Sequence, residues 1–415
     1  MTTKIDLSSA RQRDADDPLS AFRREFHLPE DVIYLDGNSL GAAPIAAFDE
    51  IETAMRTEWA DNLITSWRGA GWWTLGESLG DRIAPLIGAQ PDEVVVCDTT
   101  SINIFKALHA AISMRPGRSV VLTEARGFPT DSYVAEGVVS SHPNMRLTFV
   151  DVESSDWAAA LDDSVAAVLV NHVDYRTASL RDMAKITAQI HAAGAIAVWD
   201  LCHSVGVIDV GLEEAGADFA IGCTYKYMNG GPGSPAFIYA RTSHHGKFET
   251  PLQGWWGHAD PFGMEPTYRG SEGIRRLLVG TQPILSMRSL PASLAIFERA
   301  DIELIRNKSQ SLTSLFIDLV DQECAGLDVE VLTPRDPEKR GSQVSIYHEH
   351  GYAIMQALDA RHVHGGYREP GVMRFGFAPL YTSHAEVWEA VVRLRAVLES
   401  GEWRDDRFSA RGAIS

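Results

Sequence analysis

Between about Val32 and Ala240 the chain alternates short apolar runs with stretches of helical periodicity. The runs are Glu93–Cys97, Ser119–Thr123, Leu147–Asp151, Ala166–Asn171, Ala195–Asp200, Asp218–Thr224 and Pro235–Ala240. Several are apolar at nearly every position, the pattern of strands buried on both faces. Strands alternating with helices predict a mainly parallel sheet covered by helices on both sides. After Pro283 the pattern changes. Ile302, Ile305, Leu312, Leu315, Phe316 and Leu319 predict an amphipathic helix over Asp301–Cys324. Two alternating runs follow, Gln343–Tyr347 and Val372–Phe377, among two further helices. The last helix opens with Ser383 and Glu386, which fit a capping box. The fold class is α/β, with three expected segments. Residues 1–30 pack on the small domain or are partly disordered, 31–285 form a large domain, and 286–415 form a smaller α+β domain. The first twenty residues are polar and acidic and are expected to be loosely held.

Composition narrows the function classes. A length of 415 residues exceeds one compact core, and 45% hydrophobic with 22% charged residues is ordinary for a globular protein. A formal net charge of -19 disfavours nucleic acid and anionic membranes as partners. An anionic ligand therefore needs a locally positive site. Cys97, Cys202, Cys223 and Cys324 lie in or beside apolar runs without metal-like spacing, which suits a reducing compartment. The N-terminus has no apolar core of the secretory type, and no apolar run approaches the roughly 20 residues of a membrane helix. A cytosolic enzyme acting on a small molecule is the expectation, with no metal.

The candidate chemistry sits at the ends of the predicted strands. In open α/β sheets, ligands bind outside the carboxyl ends of the strands. The run AIAVWDLCHSVG ends a strand at Asp200, with His203 on the next turn. A carboxylate there can keep a bound pyridine ring protonated and make it an electron sink; capping the next helix is the alternative. The following run, DFAIGCTYKYMNGGPG, leads into Tyr225, Lys226 and a Gly-rich turn. A lysine partly desolvated there would have a lowered pKa suited to Schiff-base chemistry, whereas most lysines are surface charges. Asp200 and Lys226 on consecutive strand ends make a pair far rarer by chance than either alone. Thr100 and Ser101 open a helix after EVVVCD and offer hydroxyls and free N–H groups to a phosphate, or simply cap it. Phe128, followed by Pro129, Thr130 and Asp131, can stack on a flat ring or belong to the core. Thr177 follows the strand ending near His172 and can reach a ring hydroxyl. In GVMRFGFAP, Met373, Phe375 and Phe377 share one face and Arg374 the other. Arg374 is either a bidentate clamp for a carboxylate or a residue on a solvated face.

Taken together, YLDGNSLGAAP, ITSWRGAGW, VVVCDTTSIN, FPTDSY, WDLCHSVG, GCTYKYMNGGPGS, GWWGH and YREPGVMRFGFAPLY resemble, in order, segments of the kynureninase family. That family belongs to the aspartate-aminotransferase-like, fold type I enzymes that use pyridoxal 5'-phosphate. The resemblance runs from about Tyr34 to Tyr381 and implies a cytoplasmic hydrolase of L-kynurenine, giving anthranilate and L-alanine in tryptophan catabolism. It implies that Lys226 carries the cofactor as a Schiff base, Asp200 pairs with its ring nitrogen, His203 lies beside it and Phe128 stacks on it. Tyr225 is implied as an acid in later steps. Thr100, Ser101, Asp131, Tyr225, Trp255 and Thr281 match cofactor-binding positions, and Arg374 matches the residue that holds the α-carboxylate. Trp67, Gly280 and Thr281 match positions near the substrate's aromatic ring, in the manner of the bacterial type that favours kynurenine over 3-hydroxykynurenine. A homodimer with its sites at the interface is also implied. The sequence departs from the family pattern at Cys202 and Ala178, where alanine and glycine are expected, and at Asp174-Tyr175-Arg176. A cysteine desulfurase is a rival on the same fold, but it needs a nucleophilic cysteine on a mobile loop, which Cys324 does not match. A subunit without turnover and a dinucleotide oxidoreductase are weaker rivals, since competent residues stand at the matched positions and no GxGxxG follows an early strand.

Overall fold

The structure is a computed structural model that describes residues 4–411; residues 1–3 and 412–415 of the two terminal segments lie outside it. The central sheet has seven strands: β1 Val94–Val96, β2 Val120–Glu124, β3 Arg146–Val150, β4 Val165–Asn171, β5 Ile196–Asp200, β6 Phe219–Gly222 and β7 Phe237–Ala240. Their order is β1-β7-β6-β5-β4-β2-β3. Only β7 runs antiparallel to its neighbours, so the carboxyl ends of the other six share one edge.

Each expected run contains a strand, trimmed for identifiable reasons. Pro235 has no N–H to give a ladder, and its strand starts at Phe237. Asp218 is spent on side-chain hydrogen bonds, and Cys223 and Thr224 leave the sheet to form the Lys226 turn. The Leu147–Asp151 run is shifted by one residue, because Arg146 pairs with Val120 and the Asp151 side chain accepts from Glu153 N in the turn.

The amino end of β6 is clamped by Asp218. Its buried carboxylate accepts from His191 Nε2 at 2.8 Å, His244 Nε2 at 2.7 Å and Ala197 N at 2.8 Å. Burial opposes this charge, but the two histidines and the amide outweigh it and depress the Asp218 pKa. A depressed carboxylate pKa stabilises the fold fully above its ordinary value of 3.8, and the contribution is lost as acid titrates it. Asp218→Asn is expected to cost about 2–3 kcal/mol, the worth of one or two hydrogen bonds to a buried charge. Urea unfolding at neutral pH measures the loss; an unchanged midpoint would refute the clamp.

The C-terminal region has its own antiparallel sheet, formed by β8 Glu330–Val331, β9 Gln343–Tyr347, β10 Gly366–Arg368 and β11 Val372–Gly376 in the order β8-β9-β11-β10. The predicted long helix spans Ile302–Glu323, capped by Asp301. Its Phe316 packs on Phe375 and Phe377 at ring distances of 4.8 and 5.4 Å. The last helix, His384–Ser400, carries the expected capping box between Ser383 and Glu386. Ile33–Tyr34 pairs in parallel with Val363–His364, so Ile33 and Leu35 enter this C-terminal core from the far end of the chain.

Part of the segment expected to be loosely held is a helix, Leu7–Ala15, with its own capping box at Asp6. Its polarity is used in pairing. The Asp14 carboxylate accepts from His384 N and Ala385 N at 2.6 and 2.9 Å, capping the last helix where an acid suits the dipole. Asp17 meets the buried Lys308 at 2.6 Å.

Candidate active site

At the carboxyl edge of the large sheet a cavity of about 450 Å³ opens between the two regions. The strand ends bring Asn171 (β4), Asp200 (β5) and Lys226 (four residues past β6) into its wall. Helix Thr100–Ser113 points its first turn at it, with Thr100 and Ser101 in the lining. Phe128, Thr130 and Asp131 arrive at the start of helix Pro129–Ser140, where Pro129 takes the first helical position. From the C-terminal sheet, Arg368 and Arg374 close the other side.

Lys226 Nζ lies 3.1 Å from His203 Nε2 and 5.9 Å from the Phe128 ring centroid. Burial, then the charges of Lys226 and Arg374, hold His203 well below the ordinary histidine range. With Lys226 as the donor, the neutral ring accepts through Nε2, which leaves the proton to Nδ1, buried with no partner among the described residues. The expected lowering of the Lys226 pKa is not found in the free amine. Burial does oppose the ammonium, but Cys223, Cys202, Tyr225 and Asp200 together raise it above the usual value.

Asn171 Nδ2 donates to Asp131 Oδ2 at 2.7 Å and Asp200 Oδ2 at 3.2 Å, and its Oδ1 accepts from Phe128 N at 3.2 Å. Asp200 Oδ1 accepts from Cys202 N at 2.6 Å. Burial and the neighbouring Asp200 hold the Asp131 carboxyl well above its ordinary value.

Arg374 is 1% exposed, so it is not on a solvated face. Met373, Phe375 and Phe377 do pack in the core behind it, as the alternation predicts. Its Nη1 donates to Tyr175 O at 2.9 Å and its Nη2 to Ser39 Oγ at 3.3 Å, while Nε has no partner among the described residues. Burial and the nearby Arg368 bring Arg374 down to about 10, still charged at neutral pH. Burial pushes the Tyr225 phenol up to about 12, so it keeps its proton.

Several residues in the wall were not singled out from sequence: Asn38, Ser39, Asn171, Tyr175 and Arg368. Asn171 had a signal, since it ends a buried strand beside Asp200. The others depend on how distant loops dock. The Asn38–Ser39 loop presses so closely on the Lys226 turn that a Cβ on Gly41 would lie 2.3 Å from Lys226 O, and Gly41 N donates to Tyr225 O at 2.8 Å.

Other predicted residues lie outside this wall in the single chain. Thr177 donates its N–H to Asp174 Oδ1 at 2.7 Å and lines a separate groove, while Tyr175 of the same loop reaches the cavity. Next in that loop, Ala178 adopts a φ of 63°, the left-handed conformation that explains why a glycine was expected. Trp67 packs on Trp72 and Trp256, both at 5.4 Å. Trp255 is 43% exposed, and Thr281 beside Gly280 is also exposed.

The wall fits a flat, anionic cofactor. It combines a helix N-terminus for a phosphate, an aromatic ring, a buried carboxyl pair whose Asp131 Oδ1 has no partner among the described residues, and a half-buried lysine. A family model described as the kynureninase C-terminal domain matches residues 305–394. The kynureninase of Burkholderia mallei (strain SAVP1) is 48% identical over 407 residues, covering 97% of this chain and 98% of the relative. The kynureninase of Pseudomonas fluorescens is 48% identical over 420 residues, covering all of both chains. Among solved structures, the apo cysteine desulfurase from Thermococcus onnurineus NA1 is similar in fold, with a TM-score of 0.78 at 20% identity over 92% of this chain and 98% of that one.

Proposed function

The chain belongs to the kynureninase family, and from that premise we propose that it hydrolyses the Cβ–Cγ bond of L-kynurenine to anthranilate and L-alanine, using pyridoxal 5'-phosphate. The observation that carries this reading is the convergence of Lys226, the Asp131–Asp200 pair and a buried, underused Arg374 on one cavity.

When bound, the cofactor supplies an electron sink for a carbanion on the substrate. Lys226 would hold it covalently, and its amine, when free, would take the substrate's α-proton. Asp200 would hold a proton at the cofactor's ring nitrogen, helped by the Asn171 Nδ2 that it shares with Asp131. Thr100, Ser101 and Thr130 would hold the phosphate end and Phe128 would stack on the ring, while His203 orients the Lys226 amine. Arg374 clamps the α-carboxylate through the Nε left without a partner among the described residues. Water adds to the γ-carbonyl, and the C–C bond breaks to expel anthranilate. Tyr225, protonated at neutral pH, delivers a proton to the remaining three-carbon unit, and general acids of this kind are worth about 10²–10⁴-fold.

Trp67, Gly280 and Thr281 face the substrate's aromatic end, and Trp255 and Thr281 act across a homodimer interface. Their exposure in the single chain supports this, as does the apolar surface at Trp59, Ile64, Phe262 and Met264. The enzyme works in cytosolic tryptophan breakdown and accepts 3-hydroxykynurenine less well, giving 3-hydroxyanthranilate. The desulfurase reading is disfavoured because Cys324 is buried, with its thiol pushed up to about 12.

Borohydride reduction of the holoenzyme followed by peptide mapping tests the anchor. The cofactor is expected on the Lys226 peptide alone; its appearance on another lysine would discard the assignment. Parallel assays with 3-hydroxykynurenine and with cysteine set substrate preference, and sulfide release without anthranilate would favour the desulfurase.

A further inference from the structure

The proposed reaction uses neither of two thiols that stand beside its machinery. Strands β5 and β6 pair in parallel with Asp200 opposite Ile221, and Leu201 N donates to Ile221 O at 2.7 Å. Cys202 and Cys223 each stand two residues past that pair, just beyond the ends of the two strands, on neighbouring turns. Cys223 Sγ donates to Cys202 O at 3.7 Å, which brings its thiol against the Cys202 residue. Cys223 is fully buried, whereas Cys202 lines the cavity with its Sγ 3.7 Å from Thr100 Oγ1. Cys202 is also a position where the family pattern leads one to expect alanine.

We propose that Cys202 and Cys223 form an oxidisable dithiol site that a small hydroperoxide entering the cavity closes to a disulfide, and that the closed form is inactive. Cys202 sulfur attacks one peroxide oxygen; the O–O bond breaks, and the leaving oxygen departs with the thiol proton as water, or as an alcohol from an organic hydroperoxide. Cys223 sulfur then attacks the resulting sulfenic acid and displaces its hydroxyl, which leaves as water with the second proton. The two sulfurs lose two electrons in total, and the peroxide is reduced. The neighbouring Cys223 and then burial hold the Cys202 thiol well above its ordinary value, so the first attack is slow and needs excess peroxide. The new bond draws the sulfurs to about 2.05 Å. That movement disturbs Asp200, whose Oδ1 is held by Cys202 N at 2.6 Å, and the turn leading to Lys226.

The test treats holoenzyme with hydrogen peroxide and maps a non-reduced digest by mass spectrometry. A Cys202–Cys223 cross-linked peptide, two hydrogens lighter than the free pair, is expected. Activity should fall at least tenfold and return with dithiothreitol. Cys202→Ala and Cys223→Ala should each keep their own untreated rate under the same exposure. Absence of the cross-link, a cross-linked protein of full activity, or equal inactivation of both variants would overturn the proposal. The peptide readout needs no substrate, so its failure is separable from failure of the kynurenine reading.

Discussion

Lys226→Ala is expected to lower turnover by at least about 10⁴-fold, the upper range for a single general acid or base, because covalent anchoring is lost as well. The variant should still fold, since Lys226 lies in a turn whose backbone is held independently by Gly41 N on Tyr225 O and Asn229 N on Lys226 O. The cofactor's visible absorbance should change, because its covalent bond to the protein is gone. Added small primary amines should restore part of the rate by standing in for the proton-transferring amine. Wild-type activity in this variant would remove Lys226 from the chemistry altogether.

Arg374→Ala is expected to lower kcat/KM by two to three orders of magnitude, about 3–4 kcal/mol, the cost of removing one partner of a buried, hydrogen-bonded charge pair. Most of the effect should fall on KM, because the α-carboxylate is held in both the ground and transition states. Arg374→Lys should recover only part, since an ammonium cannot reproduce the planar fork. Far-ultraviolet circular dichroism will show whether the buried site still folds, and an unchanged KM in a folded variant would show that the carboxylate is bound elsewhere.

What the sequence made legible follows the periodicity of buried elements. The long helix at Ile302–Glu323 and the Ser383–Glu386 capping box are local signals, and both stand as read. Asp200 and Lys226 were legible because each follows an apolar strand, and parallel strands bring their carboxyl ends to one edge. Residues placed by docking between distant segments were not legible. Arg374 on pattern alone was equally a solvated arginine; only the packing of the C-terminal sheet against the Asn38–Ser39 loop buries it. Thr177 and Tyr175 are two residues apart, and only the Asp174 side chain holding the Arg176 and Thr177 amides determines which one reaches the cavity. The polar N-terminal segment read as loose because the partners of Asp14 and Asp17, His384 and Lys308, lie more than 290 positions away.

The central claim is most directly tested by mixing the purified protein with pyridoxal 5'-phosphate and L-kynurenine and following anthranilate fluorescence while L-alanine is quantified. Equal amounts of the two products, formed only with cofactor and lost in Lys226→Ala, are predicted. No anthranilate from a protein that binds the cofactor at Lys226 would contradict the account, leaving the fold and the cavity with a different substrate.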